Sequence, residues 1–308
     1  MRSWCAIVAL VVCITSCGRF SSSRHASNRR TLDIYFLDMV GGASTLIVTP
    51  PGESVLIDTG SRQPLHRDAE RIHKAAKDAG LSQIDHLITT HFHSDHFGGI
   101  LQLSQMIPIR KFYDKGLPAP EEDKDQVRDF YPLYREATRG QVKQIKEGDD
   151  IRLRNGGGGP DVTLHCVAAE KQVEGFSGDI DGPVPGFEIR KPDNTDNARS
   201  IALLLTYGKF DLFAGGDITW NVEHHLVHPK NRIGEMDVYQ VTHHGLDLSN
   251  NPVLPRAIQP TVCVAMNGPK KGIQPNTFRA LKALPSVKAI YQIHDNTQYG
   301  AEGNTSPR

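Results

Sequence analysis

Short runs of β-branched and aromatic residues recur along the chain and predict strands. The first run alternates hydrophobic and polar positions, as a strand with one buried face does. The predicted strands span residues 32–39, 45–48, 55–57, 84–89, 151–153, 162–167, 201–205, 261–266 and 289–293. The strands at 151–153 and 162–167 are expected to form a hairpin, because the glycine-rich segment between them is typical of a turn.

Other segments have a helical pattern and lie between these strands. Residues 65–79 place charged side chains on one side and are followed by Gly80, a common helix stop. Further helices are predicted at 95–105, 121–138, 220–228 and 279–284. We expect His224, His225 and His228 to lie on the solvated side of their helix, since histidines on helices are commonly surface residues. A chain of 308 residues with this mixture of elements is expected to form a single α/β domain.

Acidic and histidine side chains stand where several predicted strands end. Asp58 follows the strand at 55–57, and Asp217 follows the apolar run that begins at Phe210. The pair His243 and His244 follows the run that begins at Val238. Strand ends that converge on one edge of a sheet are where open sheets build binding sites.

The segment Thr90-His91-Phe92-His93-Ser94-Asp95-His96 is the richest in metal-ligand chemistry. Imidazole nitrogens and carboxylate oxygens suit zinc, manganese and iron. His91 and His93 stand two apart, so both point the same way on an extended segment. Asp95 and His96 lie where the chain is expected to turn into a helix, which directs them to a neighbouring point. One segment can therefore offer ligands to two adjacent metals.

These motifs, in this order, resemble the metallo-β-lactamase-fold superfamily of metal-dependent hydrolases over residues 33–294. The resemblance implies a four-layer αββα sandwich in one domain. It also implies two divalent ions, zinc first with manganese or iron as alternatives. The implied metal ligands are His91, His93, Asp95, His96, Asp217 as the bridging residue, and His244, with His243 as the fallback for His244. Asp58 is expected to hold the histidine motif by hydrogen bonds.

Within the superfamily, the run 193–200 before the strand at 201–205 is similar to the hydrolase domain of ComEC-type proteins and their secreted relatives. Lactamases, glyoxalases and lactonases show a His-Thr-Pro-Gly-like turn before that strand, whose histidine completes the first metal site. Here Asp196 and Asn197 occupy the region. The first site therefore has only His91, His93 and Asp217 with water, takes an oxygen from Asp196 or Asn197, or binds its metal weakly.

The expected function is hydrolysis of a phosphodiester through a metal-bridging hydroxide, with Asp95 orienting the hydroxide or taking its proton. Arg199 and Lys209 are candidate phosphate partners, although surface charges are an equally good interpretation. Two alternatives remain open. One is a hydrolase of a non-phosphate ester, and the other is a lipid-anchored binding or sensor protein with a degenerate metal site.

Charge and composition limit the partners. The chain holds 35 basic and 35 acidic residues, so no overall basic field indicates nucleic acid, although a local patch could still serve a nuclease. Cys166 and Cys263 lie in apolar runs and are expected to be buried free thiols rather than a disulfide or a zinc site. The segment 170–196 is rich in Gly, Pro and Asp and is expected to be a long loop that overhangs the site.

The N-terminus has the features of an export signal. Arg2 is followed by an apolar run that is too short to cross a bilayer and then by Ile14-Thr15-Ser16-Cys17, which looks like a bacterial lipobox. We expect residues 1–17 to be a lipoprotein-type signal, 18–30 a flexible tether and 31–308 the hydrolase domain. The expected location is a bacterial membrane, through a lipid on Cys17. An ordinary cleaved signal, giving a secreted or periplasmic protein, is the alternative.

Overall fold

The structure, a computed structural model, describes residues 31–120, 124–154, 156 and 159–305. The predicted signal and tether lie outside the described residues. The strands are β1 (Asp33–Phe36), β2 (Thr45–Val48), β3 (Ser54–Ile57), β4 (Ile84–Ile88), β5 (Ile109–Asp114), β6 (Val142–Gln144), β7 (Val162–Ala169), β8 (Gln172–Val173), β9 (Ala202–Tyr207), β10 (Phe210–Ala214), β11 (Val238–Gln240), β12 (Val262–Ala265) and β13 (Ala289–Gln292). The helices are α1 (Arg67–Asp78), α2 (Ser94–Phe97), α3 (Ile100–Ser104), α4 (Lys124–Thr138), α5 (Trp220–Val227), α6 (Val253–Ile258) and α7 (Pro275–Lys282).

The strands form two sheets. The first has the order β1-β2-β3-β4-β5-β6, and the second has the order β13-β12-β11-β10-β9-β7-β8. From β3 to β6 the neighbours in the first sheet are parallel, and from β10 to β13 the neighbours in the second sheet are parallel. Because the carboxyl ends of parallel strands lie at the same edge, each sheet collects its strand-end residues at one edge.

Three apolar clusters define four layers. The central cluster joins the inner faces of the two sheets, for example Ile57 and Ile88 with Leu203 and Leu212. A second cluster packs α1, α3 and α4 on the outer face of the first sheet, and a third packs α5, α6 and α7 on the second sheet. Both sheets thus bury apolar side chains on their inner and outer faces, which stabilises the fold by roughly 25 cal/mol per Å² of apolar surface buried. The predicted single-domain αββα sandwich is confirmed.

Several sequence predictions need correction. The helix expected at 95–105 is two short helices, α2 and α3, separated by Gly98 and Gly99. A Cβ on Gly98 would lie 2.2 Å from the Ser94 carbonyl oxygen, and one on Gly99 would lie 2.3 Å from the Thr59 carbonyl oxygen. These backbone approaches require glycine and end the first helix. Residues 151–153 form no strand, although Ile151 N–H donates to the Leu164 carbonyl at 2.9 Å, in the place of the expected hairpin.

His224, His225 and His228 were expected at the surface of one helix, and that is wrong for the two that lie within α5. His224 and His225 are buried, whereas His228 is exposed. Phe187 stacks on His224 with ring centroids 3.7 Å apart, and Phe176 stacks on His225 at 4.1 Å. Both phenylalanines belong to the long loop at 170–196, which therefore packs along α5.

Cys166 and Cys263 are buried free thiols, as predicted. Burial raises the pKa of each thiol to about 12, so neither is a reactive thiolate at neutral pH. In the part of the chain that the structure describes, no helix combines the length and apolar character needed to span a bilayer.

Candidate metal centre

Asp58 connects the ends of two neighbouring parallel strands. It follows β3 with a φ of 61°, a left-handed conformation that aspartate tolerates better than most residues. Its carboxylate accepts hydrogen bonds from Thr90 N and Thr90 Oγ1, both at 2.8 Å, at the start of the histidine motif. His96 Nδ1 lies 2.7 Å from the same carboxylate. Asp58 therefore contacts both ends of the motif through hydrogen bonds.

The histidine motif lies between β4 and α2. His91 and His96 are buried, and His93 precedes the first turn of α2 with extended backbone angles. His91 Nε2 lies 3.0 Å from His93 Nδ1, and the rings of His91 and His96 are 4.1 Å apart. The motif thus places three imidazoles on one face of a single short segment.

The second sheet supplies Asp217 and the pair of histidines after β11. The backbones of His243 and His244 are left-handed, with φ of 50° and 55°, within a 3₁₀ turn at Thr242–Gly245. The buried Glu223 carboxylate holds this turn, because it accepts hydrogen bonds from Thr242 Oγ1 and, at 2.7 Å, from Asn251 N. Burial raises the pKa of Glu223 to about 7. The strained turn is therefore fixed from α5.

Asp217 lies at the centre of the assembled site. Its Oδ2 is 3.3 Å from His96 Nε2, 3.5 Å from His243 Nε2, 3.6 Å from His244 Nε2 and 3.8 Å from His91 Nε2. Asp95 Oδ2 is 3.3 Å from His244 Nε2 and 3.8 Å from His96 Nε2. The structure therefore brings Asp95, Asp217 and the five sequence-predicted histidines to one place, although their segments are far apart along the chain.

Two overlapping donor groups result, and both contain His96. One consists of His91, His96 and Asp217, and the other of Asp95, His96 and His244. In each group the donor atoms lie within 4.8 Å of one another. His243 is outside both groups, although its Nε2 faces Asp217.

The protonation of the imidazoles fits metal binding. His244 Nδ1 lies 2.9 Å from the Met266 carbonyl oxygen, which can only accept, so this nitrogen carries the proton. His96 Nδ1 also carries a proton, because it lies 2.7 Å from the Asp58 carboxylate, which accepts the hydrogen bond. The remaining nitrogens, His96 Nε2 and His244 Nε2, face each other at 3.1 Å. Burial opposes protonation of His96, but Asp217, Asp58 and Asp95 outweigh it and raise the pKa of His96 well above its usual value. His96 Nε2 therefore carries a proton towards His244 Nε2, in the place where a divalent ion would supply the positive charge. Outer hydrogen bonds such as those on the two Nδ1 atoms are the ones that orient metal-binding histidines.

The ionisation of the two carboxylates and of His91 also fits metal binding. Burial opposes ionisation of Asp217, but His96, His243 and His244 outweigh it and hold the pKa of Asp217 well below its usual range. Burial likewise opposes ionisation of Asp95, and Lys271 and His96 keep its pKa well below the usual range. Burial, helped by His96, lowers the pKa of His91 well below its usual value. The carboxylates are thus ionised and His91 is neutral, as metal ligands must be.

Asp196 and Asn197 have different surroundings. The Asp196 carboxylate is turned to the backbone, accepting from Phe92 N at 2.8 Å and from Ala119 N at 2.6 Å. It is also 3.1 Å from the buried ammonium of Lys115. Asp196 therefore supports the histidine motif from behind. Asn197 is buried, and its Oδ1 has no hydrogen-bond partner among the described residues, which leaves this oxygen free to bind a cation.

The candidate phosphate partners lie elsewhere. Arg199 pairs with Glu170 at 2.8 Å. Lys209 is in the turn between β9 and β10, at the opposite end of these strands from Asp217. The cation in contact with the site is Lys271, whose Nζ pairs with Asp95 Oδ2. Sequence reasoning missed it, although it follows β12, a strand parallel to β11, at the edge where a site is expected.

The sequence model of the metallo-beta-lactamase superfamily matches residues 37–245, which is more than half of the chain. No curated protein sequence matches the chain.

Several solved structures are similar in fold. One is a protein of Parabacteroides distasonis ATCC 8503 that is provisionally named a metal-dependent hydrolase, with 13% identity, 84% of this chain and 92% of that chain covered, and a TM-score of 0.48. The metallo-beta-lactamase fold protein YhfI of Bacillus subtilis has 13% identity, coverage of 82% and 89%, and a TM-score of 0.47. CmlA, a diiron beta-hydroxylase of Streptomyces venezuelae, has 13% identity, coverage of 83% and 52%, and a TM-score of 0.48. The matched sequence segment, with the two-sheet fold, shows that the chain belongs to the metallo-β-lactamase superfamily.

Proposed function

We propose that the protein is a metal-dependent hydrolase that cleaves phosphodiester bonds. Members of its superfamily are generally metal-dependent hydrolases. The observation that carries metal binding is the 3.1 Å approach of His96 Nε2 and His244 Nε2, both of which are directed inward by hydrogen bonds on the opposite nitrogen. The phosphodiester is supported by the likeness of residues 193–200 to ComEC-type hydrolase domains.

The chain's own residues have distinct roles in this proposal. His91 and His93 would hold one ion, Asp95, His96 and His244 would hold the other, and Asp217, which lies 3.3–3.8 Å from His91, His96 and His244, would serve both. Two bound divalent ions, zinc in the first place, would activate water and polarise a phosphoryl oxygen. Asp58 and the Met266 carbonyl hold His96 and His244 in the required tautomer. Asp95 is ionised and half-buried, so its carboxylate can orient the attacking water or accept its proton.

A substrate screen tests the proposal. The purified protein, loaded with zinc or manganese, is offered bis(4-nitrophenyl) phosphate, nucleic acids, phosphocholine esters, lactones and β-lactams. We expect metal-dependent turnover of phosphodiesters and about two metals per chain by mass spectrometry of the metal content. Turnover of lactones or neutral esters alone would instead support the non-phosphate hydrolase. Absence of both metal and turnover would support the binding protein.

The two ions are predicted to bind with unequal affinity. Asp95, His96, Asp217 and His244 offer four donors to one ion, while His91 and His93 offer two nitrogens to the other. In the parent chain we expect stepwise zinc loading in calorimetry, with activity returning as the weaker site fills. Asn197→His should tighten the weaker site about tenfold or more, or about 1.4 kcal/mol, because it replaces a single amide oxygen by an imidazole.

The exposed Asn194 provides the matched control. Asn194→His adds the same side chain on the same segment and should leave both dissociation constants unchanged. Two equally tight sites in the parent chain would show that another residue already completes the weaker site.

We also propose that the protein is exported and attached to a bacterial membrane through a lipid on Cys17. Cys17→Ser should abolish palmitate labelling and leave the protein either unprocessed or free of the membrane fraction. Cys13→Ser, within the same apolar run, should change neither property. A parent chain that incorporates no palmitate and stays out of the membrane fraction would contradict lipid attachment and favour an ordinary cleaved signal.

A further inference from the structure

Lys271 contacts the candidate metal centre through Asp95. It pairs with Asp95 Oδ2, the carboxylate oxygen that also faces the histidines. Its ammonium pairs with Asp95 Oδ2, and that oxygen is also 3.3 Å from His244 Nε2 and 3.8 Å from His96 Nε2. In this arrangement the ammonium provides the positive charge that a divalent ion would provide at Asp95. A metal ion and Lys271 therefore compete for one carboxylate oxygen.

The backbone that carries Lys271 is fixed between two parts of the site. Gly268 N–H donates to the Lys271 carbonyl at 2.8 Å, and Ile273 N–H donates to the His244 carbonyl at 2.8 Å. A Cβ on Gly272 would lie 2.1 Å from the His244 carbonyl oxygen, and one on Gly268 would lie 2.9 Å from Gly41 Cα. The turn thus cannot withdraw easily, and any movement of the charge belongs to the flexible lysine side chain.

Exposure increases from the histidines outward. The side chains of His96 and His244 are 1% exposed, that of Asp95 is 24% exposed and that of Lys271 is 37% exposed. Lys271 is therefore the most exposed member of this line of contacts, and its ammonium is accessible to a solute that the buried imidazoles cannot contact directly. Two other residues were first considered as phosphate partners. Arg199 is paired with Glu170, and Lys209 lies far from the candidate metal centre.

We propose that Lys271 is the anion-binding residue of this site, which pairs with Asp95 when no metal is bound and with a negatively charged phosphoryl oxygen of the substrate when a divalent ion occupies Asp95. The proposal rests on the proposed function, and it defines the substrate class as an ester that keeps a negative charge beside the bond to be cleaved. An ammonium at the entrance favours such anions over neutral lactones and carboxylic esters.

The test measures binding of inorganic phosphate to the zinc-loaded full chain by calorimetry, and it does not depend on turnover. Lys271→Met should weaken phosphate binding roughly 10- to 100-fold, the scale of one hydrogen bond to a charged group. Lys271→Arg should retain most of the affinity. Lys270→Met is the matched control, because Lys270 is exposed and forms no ion pair among the described residues, and it should bind phosphate like the parent.

A second readout separates an anion-binding role from a structural one. In Lys271→Met, zinc should bind as tightly as in the parent or more tightly, because the competing ammonium is gone. For bis(4-nitrophenyl) phosphate, the variant should raise KM by a larger factor than it lowers kcat. Weaker zinc binding in the variant, or unchanged phosphate affinity, would overturn the proposal. Failure of the parent to hydrolyse any phosphodiester, with the phosphate results as expected, would overturn the proposed function alone.

Discussion

Replacing Asp217 by asparagine is expected to lower kcat for a phosphodiester about 10²- to 10³-fold, by the usual scale of a lost electrostatic partner in an active site. Asp217 Oδ2 lies within 3.3–3.8 Å of the Nε2 atoms of His91, His96, His243 and His244. An asparagine of the same shape removes the charge from the middle of this cluster. We therefore also expect the two metals to bind independently and more weakly.

Three measurements test this prediction: steady-state kinetics, metal content after dialysis, and the circular dichroism spectrum that shows folding. Glu235→Gln is the matched control, because Glu235 is an exposed carboxylate shortly before β11 and should be neutral in all three. A folded Asp217→Asn protein with full activity and two tightly held metals would refute the assignment of Asp217 as the residue between the ions.

Replacing Lys115 by methionine is expected to lower the free energy of unfolding by roughly 3–5 kcal/mol, the usual cost of breaking a buried ion pair from one side. The Lys115 side chain is fully buried, and Nζ donates to the Leu117 carbonyl at 2.6 Å and to Glu170 at 2.9 Å. It also lies 3.1 Å from the fully buried Asp196 carboxylate. Methionine fills most of the space but removes the ammonium beside the buried Asp196 carboxylate.

Guanidinium unfolding of the metal-free protein measures this loss. Lys111→Met, at an exposed position on β5, the strand that Lys115 directly follows, should change stability by less than about 0.5 kcal/mol. The double variant Lys115→Met/Asp196→Asn should recover part of the loss, because the buried negative charge is removed together with the buried ammonium. Since Asp196 also accepts from Phe92 N, the single variant should bind zinc more weakly. A loss under about 1 kcal/mol would show that Asp196 does not depend on Lys115.

The strands and their order along the chain were largely predictable. Runs such as Thr45–Val48 and Val262–Ala265 are β-branched or apolar throughout and remain strands in the structure because they lie inside covered sheets. The break between α2 and α3 was not predictable from periodicity. It depends on the close approach of the Ser94 carbonyl to Gly98 and of the Thr59 carbonyl to Gly99. Thr59 lies in the loop after β3, far from Gly99 along the chain.

The burial of α5 histidines was missed for a similar reason. His224 and His225 look like surface residues on a short polar helix, and only the loop at 170–196 supplies the aromatic rings that cover them. The loop has little periodicity, so its course along α5 could not be read from the sequence.

The sequence by itself determined the superfamily, the two-sheet α/β fold and the residue types of the candidate metal centre, because these depend on short local patterns: apolar runs that end in His91, Asp217 or His244. Only the tertiary structure decided how the donors combine. It turned Asp196 towards Lys115 and left Asn197 Oδ1 with no hydrogen-bond partner in the part of the chain that the structure describes. It also placed Lys271 on Asp95, which is 176 positions away along the chain. The physical reason is that the end of a strand sets the position of a residue's backbone. The residue that its side chain contacts depends instead on how the two sheets pack against each other.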